Sequence, residues 1–287
     1  MKNPDFFKSN QVKNFILQSF EEDVRDGDHS SLSSIPKEAI GKVKLLFKDN
    51  GIVAGLDLAQ VILEHLDPKV EIEFFNQDGD QVKHGDIGFY ATGNVHALLM
   101  GERLLLNCMQ RLSGIATLTN KVVKKIEGSS TRLLDTRKTT PNLRFLEKWA
   151  VTVGGGLNHR MGLYDMIMLK DNHIDFAGGI TGALTKAKQY VAELGKDIKI
   201  EIETRNLEEV KEALATGKAD RIMLDNFTPE QIVIALETIN GACETEASGG
   251  ITIDNIADYA KTNVDYISMG ALTHSYTSMD ISLKHIA

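Results

Sequence analysis

Two cysteines in 287 residues, Cys108 and Cys243, are too few and too far apart for a disulfide framework or a zinc site. Cys108 sits in a helical pattern and reads as a small buried hydrophobe. No apolar run approaches the roughly 18 residues that span a bilayer. The opening MKNPDFFKSNQVKNF has no apolar signal-peptide core, so a cytoplasmic protein is expected. Positive charge is short too: 32 Lys and Arg face 40 Asp and Glu, a net charge of −8. That deficit argues against nucleic acid or an anionic membrane as the main partner. Low-complexity segments and long linkers are missing, and no covalent nucleophile is evident.

What is present is ordinary for a globular chain, with 42% hydrophobic and 25% charged residues. The length fits one large or two modest domains. Against the acidic background, one stretch reverses sign. Between Asp135 and His173, Arg137, Lys138, Arg144, Lys148, Arg160 and Lys170 outnumber Asp135, Glu147, Asp165 and Asp171 by six to four. The stretch is therefore about +2, and the remainder of the chain about −10. A basic island of this size suits a small anionic ligand. Its charges also sit where buried strands end: Asp135, Arg137 and Lys138 follow Leu133-Leu134, and Lys170 follows Met166-Ile167-Met168-Leu169. Strand ends are where barrel enzymes place their chemistry.

In chain order, residues 9–24 have amphipathic helical spacing through Val12, Phe15, Ile16 and Phe20. The segment DGDHSSLSSIP reads as loop. From 41 to 93, KVKLLF, GIVAGL, VEIEFF and DIGFYATG are strand-like, with LDLAQVILEHL helical between them. This describes an α+β domain. Residues 95–126 form a long helical pattern, expected to break near Ser113-Gly114, with Arg103, Asn107 and Arg111 along one stripe. The texture then changes to alternating short apolar runs and helices. Candidate strands end near Asp135, Val153, Leu169, Glu203, Asp225, Ala247 and Ser268. Seven such units point to a (β/α) barrel one strand short of eight, with an open doubly wound sheet as the alternative. The expected division is residues 1–112 for the first domain and 113–270 for the barrel, with 271–287 packing back on the first.

Within the barrel, IKIEIE alternates, placing Lys199, Glu201 and Glu203 on one face. Carboxylates inside a barrel are costly unless paired with cations or holding a metal. With Asp225 as a third carboxylate at an equivalent strand end, Glu201, Glu203 and Asp225 suit hydrated Mg²⁺ bridging a polyphosphate, a buried ion-pair network with Lys199 or Lys170 being the other reading. Two glycine turns, Ser248-Gly249-Gly250 and Ser268-Met269-Gly270, follow consecutive strands and expose backbone N–H groups, a recurrent phosphate cradle. Gly154-Gly155-Gly156 reads as a tight turn that lets the backbone approach a ligand. The cations Arg103, Arg137, His159, Arg160 and Lys170 are too many for one phosphate and suit a second ligand with more than one carboxylate.

The stretches GERLLLN, QRLSGIAT, DTRKTTP, LRFLEKWAV, GGGLNHRMGLYDMIMLKDNH, IEIET, ADRIMLDN, EASGGI and ISMGALTHS, covering most of residues 101–275, resemble the quinolinate phosphoribosyltransferase family. The family's Gly-Asp-X-Thr element is here Gly27-Asp28-His29-Ser30. The resemblance implies an N-terminal α/β sandwich, a seven-stranded open (β/α) barrel and a homodimer, with higher association left open. It implies Mg²⁺-dependent transfer from phosphoribosyl pyrophosphate to quinolinate, with loss of CO₂, in NAD biosynthesis. By the same resemblance Arg103 of one subunit reaches the neighbouring site. Arg137, His159, Arg160 and Lys170 hold the quinolinate carboxylates, and Lys138 and Lys170 lie beside pyrophosphate. Glu201 and Asp225 organise Mg²⁺ and the ribose hydroxyls, and Ser248, Gly249, Gly250 and Gly270 cradle the 5′-phosphate. His274 falls in a matching stretch without an assigned role.

Overall fold

The computed structural model describes residues 4–286. The chain divides into two compact units: one runs to Leu118 and takes in the chain from Tyr276 onward, and the other is Thr119–Ser275. The division falls at 118–119, inside the same long helix that holds residue 112, and the chain rejoins the first unit at Tyr276.

The first unit begins with helices α1 (Pro4–Phe7), α2 (Asn10–Asp23) and α3 (His29–Ser34), then β1 (Ile40–Phe47) and β2 (Gly51–Ile52). It continues through α4 (Leu56–Leu66), β3 (Glu71–Phe74), β4 (Gln81–Val82), β5 (Ile87–Asn94) and α5 (Val95–Lys125). The C-terminal strand Ile281–Ile286 pairs antiparallel with β1, which pairs with β5, which pairs with β3. Along β1, Val43, Leu45 and Phe47 alternate inward and are buried, the period-two signature of a sheet with one covered face.

Three expectations for this unit change. The loop read over DGDHSSLSSIP contains α3, because Asp28 caps it by accepting from the Ser30 and Ser31 N–H groups at 3.1 and 3.2 Å. The strand read over GIVAGL shrinks to Gly51–Ile52: the following residues lead into α4, whose first N–H groups are taken by Asp78 across the turn, at 2.7 Å from Gly55 and 2.9 Å from Leu56. Helix α5 passes Ser113-Gly114 without a break. Its small residues serve packing instead. The Ser113 hydroxyl accepts from the Ala54 N–H at 3.0 Å, and a Cβ on Gly114 would stand 2.3 Å from the Thr277 carbonyl oxygen.

The second unit holds β6 (Arg132–Leu134), α6 (Arg144–Val153), β7 (Ile167–Leu169), α7 (Asp171–Ala177), α8 (Ile180–Leu194) and β8 (Ile200–Thr204). After these come α9 (Leu207–Thr216), β9 (Arg221–Asp225), α10 (Pro229–Ile239), β10 (Glu244–Ser248), α11 (Ile256–Ala260), β11 (Tyr266–Ser268) and α12 (Ala271–His274). Six parallel strands run in the order β6-β11-β10-β9-β8-β7. The strand expected to end at Val153 is the helix α6. Its apolar run Trp149-Ala150-Val151 is short enough to suit either structure, and burial of Phe145, Leu146, Ala150 and Val151 on one face selects the helix. Beside β6 the chain contributes only a bridge: Leu157 donates to Leu133 O at 2.8 Å and accepts from the Asp135 N–H at 3.1 Å.

Candidate active site

Parallel strands bring their C-terminal ends to one edge, and the functional side chains divide there by depth. Register places Glu201 opposite Arg221 and Glu203 opposite Met223, while Asp225 lies beside Ser248. Two residues along a strand are about 6.6 Å, so Glu203 stands near the mouth and Glu201 within.

The inner layer is closed on itself. His159 Nε2 lies 3.1 Å from Glu201 and 3.3 Å from Glu246, and Arg221 reaches Glu246 at 2.9 Å and Glu244 at 3.1 Å. The Arg221 guanidinium also covers the Tyr266 ring at 4.1 Å. Burial opposes charging of the imidazole, but Glu201 and Glu246 more than offset it, and the His159 pKa is pushed up to about 9. The Arg160 N–H lies 2.7 Å from His159 Nδ1, a bond made only by the neutral ring with its proton on Nε2; the charged ring that the carboxylates favour gives that bond up. Burial, and next the Glu246 charge, hold the Glu201 carboxyl above its ordinary range, with Arg221 Nη1 at 4.0 Å from it. His159, Glu201 and Glu246 bring ligating atoms within 4.8 Å of one another, but Arg221 already supplies their counter-charge.

Two of the expected site residues lie in this inner layer. The His159 imidazole is buried, with Nδ1 facing the Arg160 N–H and Nε2 within ion-pair distance of Glu201 and Glu246. Glu201 is fully buried against His159 rather than grouped with Asp225. The partner of Asp225 at the mouth is Glu203: after burial, the Glu203 charge is the largest influence holding the Asp225 carboxyl above its usual range, offset by Lys170. Lys170 Nζ donates to Glu203 at 3.0 Å. Lys199, considered as a partner for the buried carboxylates, instead reaches Glu244 at 3.4 Å.

The cationic wall is made by Arg137 and Arg160. Arg137 Nε is buried with no hydrogen-bond partner among the described residues. Arg160 Nη1 donates to the Met166 carbonyl at 3.1 Å. Burial, and then the charge of Arg137, depress the Arg160 guanidinium. Two like charges held together with a donor left over form a preset anion site. Its frame is a fully buried pair: Lys148 Nζ contacts Asp135 and donates to His159 O at 3.0 Å, and Asp135 accepts from the His159 N–H at 2.9 Å. Burial pushes the Asp135 carboxyl up to about 6 against the pull of Lys148, and burial likewise lowers the Lys148 ammonium.

The glycine turns are built as expected, each for a different reason. Gly249 has φ +89°, and a Cβ there would stand 2.3 Å from Asn226 Oδ1; Gly250 has φ +62°. A Cβ on Gly270 would meet the Lys138 side chain at 2.9 Å, so Lys138 lies across that turn, where Thr273 also donates to the Lys138 carbonyl at 2.8 Å. Gly154-Gly155-Gly156 does turn, with φ +95° at Gly155, and the close approach at Gly156 is to Val151 and Thr119. Gly249→Ala combines an unfavourable backbone region with a clash against Asn226. The expected result is a loss of at least about 10-fold in affinity for a phosphate-bearing ligand at this turn, with affinity for a dicarboxylate unchanged, read by calorimetry.

In the first unit, Arg103 is exposed on α5 and lines a concavity of about 280 Å³ with Asp23, Asp28, His29 and Ser30. Arg111, on the same stripe, stacks on Tyr276 at 5.1 Å. Asp135 is one of the strand-end charges read from the sequence, whereas its pairing with Lys148 and the places of Glu246 and Arg221 are not legible there. For Lys148 a signal exists: it falls three residues from Phe145 and from Val151, on the buried face of α6.

A parallel α/β unit with paired arginines, a carboxylate–lysine group and glycine turns at its strand ends, in a chain that also holds an α+β unit, defines an enzyme class that handles more than one small anion. The family model described as quinolinate phosphoribosyl transferase, C-terminal domain, matches residues 115–284, and the N-terminal domain of the same name matches 28–113. The chain belongs to the quinolinate phosphoribosyltransferase family. It is 44% identical to the chloroplastic nicotinate-nucleotide pyrophosphorylase [carboxylating] of Arabidopsis thaliana, over 95% of this chain and 82% of that protein. It is 42% identical to the probable nicotinate-nucleotide pyrophosphorylase [carboxylating] of Bacillus subtilis, over 95% and 93%. The crystal structure of NadC from Streptococcus pyogenes superposes with a TM-score of 0.91 at 39% identity, covering 96% of this chain and 98% of that one. No helix among the described residues is long and apolar enough to cross a membrane.

Proposed function

We propose that the chain transfers the phosphoribosyl group of phosphoribosyl pyrophosphate to the ring nitrogen of quinolinate, releasing pyrophosphate and CO₂ and leaving nicotinate mononucleotide. The observation that carries this reading is the preset cation pair, Arg137 with its unpartnered buried Nε beside Arg160. Such a pair suits two carboxylates on one rigid ring better than a single one.

The roles follow from position. Arg137 and Arg160 hold the ring carboxylates and align the nitrogen with the anomeric carbon. The turns at Ser248-Gly249-Gly250 and Gly270 take the 5′-phosphate on backbone N–H groups. Lys138, across the Gly270 turn, and Lys170 face the leaving pyrophosphate. As the C–O bond breaks, the mouth carboxylates Glu203 and Asp225 lie near the developing positive charge on the ribose. Once the nitrogen is ribosylated, its positive charge stabilises the carbanion left by departure of the adjacent carboxylate as CO₂, and a proton takes that position. Glu203 and Asp225, two half-neutralised carboxylates, fit an oxygen-preferring cation held through water, and these residues would hold Mg²⁺. Bound Mg²⁺ supplies charge neutralisation for the pyrophosphate.

The test is CO₂ release from carboxyl-labelled quinolinate. Release that requires both phosphoribosyl pyrophosphate and Mg²⁺ supports the reading; folded protein that binds quinolinate without release sinks it. A homodimer in which Arg103 serves the neighbouring site is part of the proposal, supported by its exposure on α5. Mixing inactive Arg103→Ala and Lys138→Ala chains is expected to restore about a quarter of the sites when subunits exchange at random. No recovery despite exchange, followed by native mass spectrometry, removes the shared site. A cytoplasmic setting belongs to the same reading, supported by two unpaired cysteines, and is checked by cell fractionation.

A further inference from the structure

We propose that the buried Asp135–Lys148 pair is a positioning device that fixes the separation of Arg137 and Arg160, and with it the fit of the cradle to a dicarboxylate. This rests on the reading of those two arginines as the dicarboxylate cradle.

Three segments converge on the pair: the end of β6 through Asp135, helix α6 through Lys148, and residues 157–160. Both side chains are fully buried. Lys148 Nζ donates to the His159 carbonyl at 3.0 Å, and Asp135 accepts from the His159 N–H at 2.9 Å. The pair therefore grips both polar groups of residue 159. With its amide oriented to satisfy both partners, Asn158 adds donations to the Lys148 carbonyl at 2.9 Å and to Asp135 at 2.6 Å. Arg137 lies two residues beyond Asp135, and Arg160 follows His159 directly.

The location explains why charges are used. Every other neighbour in the sheet is held by a strand ladder, but residues 157–160 join β6 through the Leu157 bridge alone. Two backbone hydrogen bonds leave the segment free to pivot. The buried pair adds the missing constraints at His159, two residues beyond the bridge. A purely stabilising purpose is poorly served this way, because well-packed apolar residues often replace a buried ion pair at no loss. Directional bonds to one peptide unit are what an apolar pair would not supply.

The experiment uses the full chain and three readouts: quinolinate dissociation constant by calorimetry, phosphoribosyl pyrophosphate KM, and melting temperature. Lys148→Met is expected to weaken quinolinate roughly 10- to 100-fold, the scale of an ångström of misplacement, with the phosphoribosyl pyrophosphate KM within about 2-fold. It also lowers the melting temperature by stranding Asp135. The double variant Asp135→Asn with Lys148→Met removes the stranded charge and regains much of the melting temperature. Its quinolinate constant stays weak, since the His159 carbonyl still lacks its donor. Should quinolinate affinity recover together with the melting temperature, or never fall, the pair is a structural element only. If Lys148→Met does not fold, the double variant decides the matter alone. Arg160→Ala separates the two claims: unchanged quinolinate binding there overturns the cradle itself, whereas weakened binding there with normal binding in the Lys148 variants overturns only the positioning role.

Discussion

Arg160→Ala is expected to raise the quinolinate dissociation constant about 100-fold, while the phosphoribosyl pyrophosphate KM moves by no more than about 3-fold. A hydrogen bond to a charged group contributes roughly 1.5–3 kcal/mol, and a factor of 100 corresponds to about 2.7 kcal/mol. Removing one arm of a paired guanidinium site falls at the upper end of that range, because the second carboxylate is left facing a desolvated wall. Stability is expected to change little, through two opposing effects. The variant loses the 3.1 Å bond to the Met166 carbonyl, about 1 kcal/mol. It also relieves the repulsion from Arg137 that, after burial, depresses the Arg160 guanidinium. Nicotinate, with one carboxylate, should lose less than quinolinate. Equal losses for the two acids would show that Arg160 does not read the second carboxylate.

Much of this site is legible in the sequence because strand ends announce themselves. Lys170 closes Met166-Ile167-Met168-Leu169, Asp225 closes Ile222-Met223-Leu224, and the glycine turns follow in the expected units. Depth is not legible. Alternation places Glu201 and Glu203 on one face of β8, but which one reaches the mouth depends on its pairing with β9, a property of two strands together. The same limit applies to the aim of His159. Neighbours in extended chain point to opposite sides, so a basic dipeptide sends Arg160 to the cradle and His159 into the core, where Glu246 and Arg221 wait on strands 62 or more residues away in sequence. Helix α3 escapes notice because serine has modest helix propensity, and its Asp28 cap outweighs that. Helix α6 is misread because five apolar or β-branched residues carry no decisive period. Local pattern thus locates elements and ends, whereas register and inward or outward aim belong to the assembled sheet.

Lys170→Ala is expected to cost 100- to 1,000-fold in kcat, about 2.7–4 kcal/mol, the usual loss of one preorganised group facing developing charge. Its ammonium lies 3.0 Å from Glu203 and offsets Asp225 as well. Without it, two carboxylates confront an anionic substrate across the mouth, and charge building on pyrophosphate loses a partner when it needs one most. The folded state should hardly register the change. The side chain is 48% exposed and the ion pair sits at the edge of solvent, where such pairs contribute about 0–1 kcal/mol. Screening that makes the pair weak in the free enzyme fades once bound substrates exclude water, so the same charge counts for more in the transition state than in folding. The informative contrast is therefore between kcat and melting temperature measured on one preparation. Near-normal melting with a 100-fold rate loss assigns Lys170 to the leaving group; a kcat within 10-fold of the parent places that task elsewhere. Lys170→Arg, which keeps the charge but changes its reach and shape, should recover part of the rate, and raising Mg²⁺ should not substitute for the missing ammonium.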